Sequence, residues 1–551
     1  MNRNNYNWNK VLLIIIVSLI SAIFVLFPVI IGNAKTPDGM TYLWTGHYYL
    51  DYFYYLQFIA QGLRGYWLPR QYSATDDPSI YLHLEPYVII GQIGRIFHLS
   101  PASAYWMSVF VLVFILSLTI FLVIREVLIN SFFKLKLVAL LITLTAGPFF
   151  ILVSDNSGLK INFFDYWASY GTFFKRFEPV PHHLLAHIFI LFAFLLSYKF
   201  ISKNDKTVSY SLGIGLVVSL LLIAVLTFYP FHVITAFFAI GMTLLFFLLK
   251  KLKEKNYKEA GLLFFYGLII GGLILLAGLA INRFYYQTVF FQSTKGVEVG
   301  WRNFPALRDV MLNLGPVVIL ALFGLVPFFR RINSLGIMLT IFVLISFGLF
   351  YSSLDLVLNT HNGRFLSPLS YLLFSAIAVL GIEQLSGIFK GKKRIIAISF
   401  MVLLLLLFSL PGNIAAFKEK LNDKNLNSPI TYLPKGIIKG FKFLDKQPEK
   451  GNVLLTPSQF LGTVIPVYTD RKTYVARHAA TPNYLDKNLQ AGNFYLGAMT
   501  DEEALNFLRK NSLRIVVLTS IEGYDVKTLF KYPFLKEIFR NKDIIIFRVN
   551  F

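Results

Sequence analysis

Apolar residues occur in long uninterrupted runs along this chain, and most of these runs reach the roughly 18 residues that a membrane-spanning helix needs. They predict eleven spanning helices, at residues 11–32, 103–124, 136–154, 183–201, 211–228, 231–250, 259–281, 311–329, 335–353, 365–388 and 395–411. A shorter apolar segment, 86–97, contains Gly91, Gly94 and Arg95. It is too short to cross a hydrocarbon core about 30 Å thick, so we expect it to be interfacial or re-entrant.

Positive charges between the runs predict the orientation of the chain. With the amino terminus inside, five loops are cytoplasmic, and their basic clusters are Arg125 to Lys136, Lys199 to Lys206, Lys250 to Lys258, Arg330 and Arg331, and Lys390 to Arg394. This distribution agrees with the positive-inside rule. Counting 86–97 as a further span would move these basic clusters outside, so the loop charges favour eleven spans.

The same topology places four loops and the tail on the extracytoplasmic side. The loops are 33–102, 155–182, 282–310 and 354–364, and the tail is 412–551. In the tail, strand-like runs at 452–456, 514–519 and 543–548 accompany a helical pattern at 501–511. We therefore predict an all-α polytopic membrane domain over residues 1–411 and a soluble extracytoplasmic α/β domain over 412–551.

Composition narrows the class of protein further. Of the 551 residues, 56% are hydrophobic and 15% are charged, against about 25% charged in soluble proteins. An ordinary cytosolic enzyme is therefore excluded. Cysteine is absent, which excludes disulfides, Cys-based zinc sites and thiol nucleophiles. The net charge of +23 is explained by basic cytoplasmic loops and anionic headgroups, so we expect membrane lipids and no nucleic acid as partners.

A short aromatic helix is predicted in the first loop, from near His47 to Gly65. At 100° per residue, Phe53, Leu56, Ala60 and Leu63 form one stripe that we expect to lie on the membrane surface. The opposite face contains Asp51, Tyr55, Phe58 and Gly62, with Gly62 allowing a close approach. A carboxylate at the membrane boundary is suited to act as general base toward a hydroxyl or amine. The alternative is that Asp51 caps or solubilises an interfacial helix.

This part of the chain resembles the GT-C superfamily of integral membrane glycosyltransferases, which includes protein O-mannosyltransferases and aminoarabinose transferases. The residues that carry the resemblance are Asp51, Tyr55, Leu56, Ile59, Gln61, Gly62, Gly65, Gly91 and Gly94. The many-helix layout with an outer carboxy-terminal domain is also similar. The resemblance implies a lipid-phosphate-linked sugar donor and a catalytic carboxylate in the first outer loop, which falls on Asp51.

Other acidic residues of the first loop are weaker candidates for this role. Asp38 lies in a Pro-Asp-Gly sequence that is typical of a turn, so we interpret it as structural. Asp77 precedes Pro78 and indicates another turn. Glu85 stands immediately before the short segment 86–97, where it could face the site.

Histidines are concentrated after the second outer loop and in the next outer turn. His183 and His187 have the i,i+4 spacing of metal ligands, but interfacial or substrate-binding histidines are the more common arrangement. Some GT-C members bind a divalent cation through an acidic motif here, and this sequence has only Asp155 as a candidate second carboxylate. A divalent cation is left open as a cofactor. His182 and His183 are assigned to the sugar or acceptor pocket. His232 either faces the same cavity or belongs to an aromatic interface belt.

A lipid-phosphate donor requires cations at the outer boundary of the membrane. Arg364, in the sequence His361-Asn362-Gly363-Arg364-Phe365, is placed by the topology at the start of a late helix. A guanidinium there can bind two phosphate oxygens, and GT-C proteins often have an arginine-aromatic pair at this point. Arg302 is a second candidate. The alternative for Arg364 is an arginine that extends to the lipid headgroups.

Together these features predict a hexosyl or pentosyl transferase that moves a sugar from a polyprenyl-phosphate-linked donor to an extracytoplasmic glycan, lipid or protein acceptor, with inversion. Asp51 is the general base, and Arg364, Arg302, His361, Tyr55, Glu85, His182, His183 and His232 bind the substrates. The alternatives are a transporter or flippase for lipid-linked saccharides and a non-catalytic scaffold. The transporter is disfavoured because the spans contain few ionisable residues.

Overall fold

The computed structural model describes residues 8–46, 48–76, 79–155, 158–287, 291–292, 296–421, 430–456, 458–521 and 523–551. The helices are α1 (Trp8–Ala34), α2 (Tyr49–Leu63), α3 (Glu85–Ile96), α4 (Pro101–Val127), α5 (Phe133–Thr145), α6 (Phe173–Arg176), α7 (Pro181–Ser202), α8 (Val208–Phe228), α9 (Pro230–Lys253), α10 (Tyr257–Phe284), α11 (Leu307–Leu314), α12 (Pro316–Arg331), α13 (Ser334–Phe350), α14 (Leu354–Val357), α15 (Ser370–Ser386), α16 (Lys392–Leu421), α17 (Lys435–Asp445), α18 (Ser458–Tyr468), α19 (Tyr484–Tyr495), α20 (Asp501–Lys510) and α21 (Val526–Phe530). The strands are β1 (Met40–Tyr42), β2 (Phe150–Asp155), β3 (Gly158–Phe163), β4 (Tyr432–Pro434), β5 (Asn452–Leu455), β6 (Leu513–Thr519), β7 (Leu535–Arg540) and β8 (Ile544–Val549).

Seven helices in the described residues are long and apolar enough to cross a membrane, namely α1, α4, α7, α8, α9, α10 and α16. An eighth span results if α11 and α12, which meet at an angle of 92°, are counted as one broken span. The protein is therefore an integral membrane protein with a mostly helical, polytopic fold. The expected count of eleven spans stays a prediction, since α13 and α15 are 17 residues long.

The bend between α11 and α12 has a local cause at Gly315. This residue has a φ of +78°, which glycine adopts without strain. A Cβ atom there would overlap the carbonyl oxygen of Gly147. Pro316 then begins α12, since proline is tolerated in the first turn of a helix. Sequence and packing thus both require the chain to turn at this point.

The predicted helix over 136–154 differs from the structure in its second half. Helix α5 ends at Thr145, and β2 pairs antiparallel with β3 from Phe150 onward. Gly147 and Pro148 end the helix because proline disfavours helical conformation in the residue before it. The side-chain amide of Asn413 donates a hydrogen bond of 2.8 Å to the carbonyl oxygen of Thr145. A run of apolar residues continues across the break, which is why hydropathy alone did not reveal it.

The chain divides into two compact units. The first contains Met1–Val25, Val109–Ile281 and Gly296–Lys420, and the second contains Leu26–Ser108, Asn282–Lys295 and Leu421–Phe551. The first loop and the tail therefore belong to one unit. The boundary expected at residue 411 stays a prediction, and helix α16 runs beyond it to Leu421.

The tail contains a four-stranded mixed sheet in the order β5-β6-β8-β7. Strands β5 and β6 are parallel, and β8 pairs antiparallel with both β6 and β7. The core between sheet and helices contains the buried residues Leu454, Phe494, Leu508, Val516 and Phe547. The predicted strands at 452–456, 514–519 and 543–548 and the helix at 501–511 are confirmed. Helix α20 begins with a capping box in which the side chains of Thr500 and Glu503 each accept a hydrogen bond from the other residue's backbone N–H. The Thr-x-x-Glu spacing of Thr500 and Glu503 is the sequence pattern typical of such a box.

Candidate functional site

Helix α2 crosses α3 at a point where their backbones are in contact. A Cβ atom at Gly62 would overlap the carbonyl oxygen of Val88, and one at Gly91 would overlap that of Ile59. Only residues without a side chain permit such an approach. The expected close approach at Gly62 is therefore confirmed. Since Asp51 lies in the first turn of α2, the crossing also fixes the direction in which this carboxylate is presented.

The apolar stripe of α2 is covered by the tail. Phe53, Leu56 and Ala60 are 1%, 2% and 2% exposed. Helix α18 packs against them, with the Phe460 ring 6.0 Å from the Phe53 ring. The expectation that this stripe lies on the membrane surface was wrong. Helical periodicity identifies the residues that share a face, but it does not identify what covers that face.

Asp51 forms an ion pair with Arg477 of the tail, in which Nη2 contacts Oδ1. The Asp51 side chain is 24% exposed and the Arg477 side chain 18%. The guanidinium also lies 5.3 Å from the centroid of the Tyr54 ring. Burial lowers the pKa of Arg477, but Asp51 beside it raises the pKa above its usual value. Sequence analysis missed Arg477, because no motif surrounds it and its partner lies far away along the chain.

Stacked tyrosines accompany Asp51 on α2. The Tyr55 and Tyr87 rings are 4.5 Å apart and inclined by 5°, and Tyr105 continues the stack at 6.4 Å from Tyr87. Tyr52 meets Tyr105 edge-on at 5.0 Å. Of these rings, only Tyr55 belongs to the face of α2 that the helical pattern predicted beside Asp51, and Phe58 of that face packs instead against Tyr54, at 5.2 Å.

Two further titratable residues lie at the start of α3: His83 precedes the helix, and Glu85 is its first residue. Burial raises the pKa of the Glu85 carboxyl, and its Oε2 is buried without a hydrogen bond to any described residue. Burial and the charge of Arg477 lower the pKa of His83 to about 3. His83 is therefore neutral near pH 7, while Glu85 protonates more readily than an exposed glutamate.

The competing aspartates of the first loop have structural environments. The N–H of Met40 donates to the carbonyl oxygen of Pro37 at 3.2 Å, and Gly39 has a φ of +78°, so the turn expected at Asp38 is confirmed. Asp76 pairs with Lys487 at 2.5 Å. The turn expected at Asp77 and Pro78 lies outside the described residues.

In the first unit, Arg364 is paired with Glu298, with 2.6 Å between Nη2 and Oε1. Its guanidinium lies 5.6 Å from the centroid of the Phe231 ring. The Thr360 hydroxyl donates a 2.7 Å hydrogen bond to Glu298, and His361 Nε2 lies 3.9 Å from the same carboxylate. Burial opposes ionisation of Glu298, but these neighbours outweigh it and lower the pKa of Glu298 to about 2.

The sequence predicted that Arg364 lies at the start of a late helix, and this prediction was wrong. It belongs to a 3-10 turn, Asn362–Phe365, and α15 begins only at Ser370. Pro368 separates the two, since a helix rarely continues through the residue before a proline. The helix amino terminus therefore does not contribute to anion binding at Arg364.

Arg302 is paired with Asp355, with 2.6 Å between Nε and Oδ2 and 3.1 Å between Nη2 and Oδ1. The Asp355 side chain is fully buried. The neighbouring Asn303 N–H donates a 3.0 Å hydrogen bond to Asn362 Oδ1, which links this segment to the turn that contains Arg364. Sequence analysis missed Glu298 and Asp355 as partners of these arginines, although both lie in loops that it placed on the same side as the arginines.

The predicted histidines come together in the first unit. The His182 and His183 rings are 4.4 Å apart, and His183 contacts the Tyr229 ring at 4.3 Å. His183 Nδ1 lies 3.2 Å from Glu178 Oε2. These histidines therefore have protein partners of their own at the amino terminus of α7.

His232 joins this histidine group to the loop that contains Arg364. Its Nε2 lies 2.8 Å from the carbonyl oxygen of Leu366, and its ring is 5.4 Å from that of His187. His232 is 0% exposed, and its facing of the same cavity as the other candidate residues stays a prediction. His183 and His187 both neighbour the Tyr229 ring, with centroid distances of 4.3 Å and 6.3 Å.

The described residues contain no group of three or more His, Asp or Glu side chains arranged to hold a metal ion. Asp155 ends β2, and its side chain lies outside the described part of the chain, so its role as a second carboxylate stays a prediction.

No protein-family model and no curated protein matches the sequence significantly, whereas solved structures match its fold. The oligosaccharyltransferase from Archaeoglobus fulgidus tethered with an acceptor peptide is similar over 94% of this chain and 69% of its own, with a TM-score of 0.52 and 13% identity. The same archaeal enzyme, AglB, with an inhibitory peptide and a dolichol-phosphate, gives 0.51 at 13% identity over 92% and 69%. ArnT from Cupriavidus metallidurans bound to undecaprenyl phosphate covers 98% of both chains, with a TM-score of 0.50 and 11% identity.

These neighbours are membrane glycosyltransferases of the GT-C superfamily. The chain therefore has a GT-C-like fold, as the first-loop residues had suggested. At 11 to 13% identity the likeness concerns the fold alone.

Proposed function

We propose that the protein is a membrane glycosyltransferase that moves a sugar from a polyprenyl-phosphate-linked donor to an acceptor on the extracytoplasmic side. The observation that carries the proposal is the position of Asp51. In a GT-C-like fold it lies in the first turn of the first-loop helix, ion-paired with Arg477 and on the same helix as the Tyr55–Tyr87 stack. The neighbours with dolichol-phosphate and undecaprenyl phosphate support a lipid-phosphate carrier.

The reaction that fits these residues is a single displacement with inversion. Asp51 takes the proton of an acceptor hydroxyl or amine as that atom attacks the anomeric carbon of the sugar. The bond between the anomeric carbon and the phosphate oxygen breaks, and its electron pair leaves with the polyprenyl phosphate. The partly exposed Tyr55 ring offers a flat surface on which a sugar or acceptor ring can lie. Glu85 and the histidines at His182, His183 and His232 are assigned to substrate binding.

The leaving group requires positive charge, and Arg364 is the stronger candidate to supply it. Its side chain is 28% exposed, and its partner Glu298 is 29% exposed, so the guanidinium remains accessible to a phosphate oxygen. Arg302 is bound in a two-point contact to a fully buried carboxylate. We therefore assign phosphate binding to Arg364 with His361 beside it, and a supporting role to Arg302.

The experiment that tests this proposal uses the purified chain in liposomes with radiolabelled undecaprenyl- and dolichyl-phosphate sugars. A transferase releases the polyprenyl phosphate and places the label on a water-soluble or lipid acceptor with the opposite anomeric configuration. A flippase would move the intact donor across the bilayer without release. Movement without release, or neither event with any donor of the panel in the presence of envelope acceptors, would contradict the proposal.

A further inference from the structure

The segment that contains Arg477 is fixed against the first loop by polar contacts to four consecutive residues of that loop, 71–74. The N–H of Thr473 donates to the carbonyl oxygen of Tyr72 at 2.9 Å, and Ala74 forms an antiparallel bridge with Val475. Beyond Arg477, the Thr481 hydroxyl donates to the carbonyl oxygen of Ser73 at 2.9 Å. The fourth contact runs from the Gln71 amide to the carbonyl oxygen of Ala480, at 3.3 Å. Arg477 is therefore anchored on both sides.

The residues that make these contacts are deeply buried. Gln71, Ser73 and Thr473 are 0% exposed and Thr481 is 5% exposed. A buried polar group whose partner is lost costs about 1–3 kcal/mol, so the alignment of the two segments is strongly specified. The position of Arg477 beside Asp51 is thus built into the fold of this unit and does not depend on a mobile surface side chain.

The elements around the Asp51–Arg477 pair contribute few other charges. Helix α18, which packs against α2, contains no Asp, Glu, Lys or Arg, and the charged residues of α3 are Glu85 and Arg95. The titratable groups that interact electrostatically with one member of the pair or the other include Tyr48, Tyr54, Tyr55, His83 and His478. The pKa of His478 is lowered by burial and by Arg477, so this histidine adds little positive charge near pH 7.

We propose that Arg477 is a positioning residue for the transfer reaction, which directs the Asp51 carboxylate toward the acceptor. The proposal rests on the proposed function of Asp51 as general base. It assigns the tail a part in the catalytic centre beyond the recognition of an acceptor. Because the contact between the guanidinium and the carboxylate sets the orientation of the base, removal of the guanidinium should slow proton transfer and leave binding of the substrates intact.

The test compares kcat and KM for sugar transfer in Arg477→Gln, Arg477→Lys and Asp51→Asn, each in the full chain in liposomes. We expect Arg477→Gln to lower kcat by about 10-fold with little change in KM. Arg477→Lys keeps a positive charge beside Asp51 and should recover most of the wild-type kcat. The matched control is Arg514→Gln, since Arg514 is a tail arginine paired with Glu449 at 2.9 Å, and it should change neither quantity.

The outcomes separate this inference from the proposed function. If Asp51→Asn transfers normally, the general-base assignment itself is wrong. If Asp51→Asn is impaired while Arg477→Gln keeps the wild-type kcat, only the role of Arg477 is refuted. An equal loss of kcat in both Arg477 variants, or a change in KM alone, would identify a merely structural residue and would also overturn the inference. Should Arg477→Gln fail to fold, a kcat of Arg477→Lys as low as that of Asp51→Asn contradicts the proposal by itself.

Discussion

A charge that is removed from water is stable in a protein only when an opposite charge or several hydrogen bonds compensate it. Arg302, Arg364 and Arg477 each meet this requirement through a carboxylate. The partners differ in exposure, since Asp355 is fully buried whereas Glu298 is 29% exposed. The Arg302 pair is therefore suited to hold the loop together, and the Arg364 pair is the more accessible of the two, which is why phosphate binding is proposed for Arg364.

The Glu298 carboxylate leads to a prediction about stability and pH. Its pKa in the folded protein is about 2, below the usual value of about 4.3 in an unfolded chain. The ion pair therefore stabilises the fold fully above about pH 4.3 and loses this effect as the pH falls toward 2. We expect Glu298→Gln to lower the melting temperature in detergent at pH 7 and to differ less from the wild type at pH 3. A difference that grows on acidification would show that Glu298 is not the stabilising carboxylate.

At this scale the sequence indicated candidate residues but not the residues that pair with them. The functional candidates were recognisable because Asp, Arg and His are rare beside long apolar runs. Their partners depend on which loops pack together, and periodicity contains no such information. Arg477 is the clearest case, because it contacts Asp51 only after the tail has folded against the first loop.

At the scale of elements, the crossing of α2 and α3 positions the candidate base, and two glycines allow it. Helix α2 was predicted with nearly its observed bounds, since its aromatic and apolar residues follow the helical period. The surface covering its stripe was not predictable, because a buried face and a membrane-facing face have the same apolar composition. The dipeptide Gly147-Pro148 indicates the end of α5. Because apolar residues continue on both sides of it, hydropathy predicted one uninterrupted helix.

The close crossing of α2 and α3 predicts that adding one methyl group at Gly62 lowers the stability of the fold. Gly62→Ala would place a Cβ on the carbonyl oxygen of Val88, so α2 must move and the fold should lose about 1–3 kcal/mol. The control is Gly272→Ala in α10, where no atom lies within 4 Å of the added Cβ. Thermal unfolding in detergent should show a lower melting temperature for Gly62→Ala alone. Equal melting temperatures for the two variants would contradict the close crossing.

At the scale of the whole molecule, the fold class followed from hydropathy and loop charge because both reflect the cost of placing polar groups in lipid. The number of spans did not follow as directly, since short and bent helices such as α12 and α15 fall below the length criterion. The orientation of the chain remains a prediction from the positive-inside rule, and it determines the side on which Asp51 acts.

The orientation is testable by labelling single cysteines, because the native chain has none. Lys253→Cys, at the end of α9, should be protected from a membrane-impermeant thiol reagent in intact cells and should react after permeabilisation. Lys510→Cys, at the end of α20 in the tail, should react in intact cells. Labelling of position 253 alone would show that the topology is the reverse of the predicted one. Labelling of both positions would show that these two segments do not lie on opposite sides of the membrane.

The most direct measurement is the transfer rate of Asp51→Asn, which keeps the size of the side chain but removes the basic carboxylate. The assay follows release of polyprenyl phosphate from a labelled lipid-linked sugar, together with donor binding, with Asp38→Asn as the matched control from the same loop. We expect Asp51→Asn to reduce transfer by about 10²–10⁴-fold with little change in donor binding, and Asp38→Asn to transfer normally. Normal transfer by Asp51→Asn would contradict the central claim, and impaired transfer by Asp38→Asn alone would assign the base to the other aspartate.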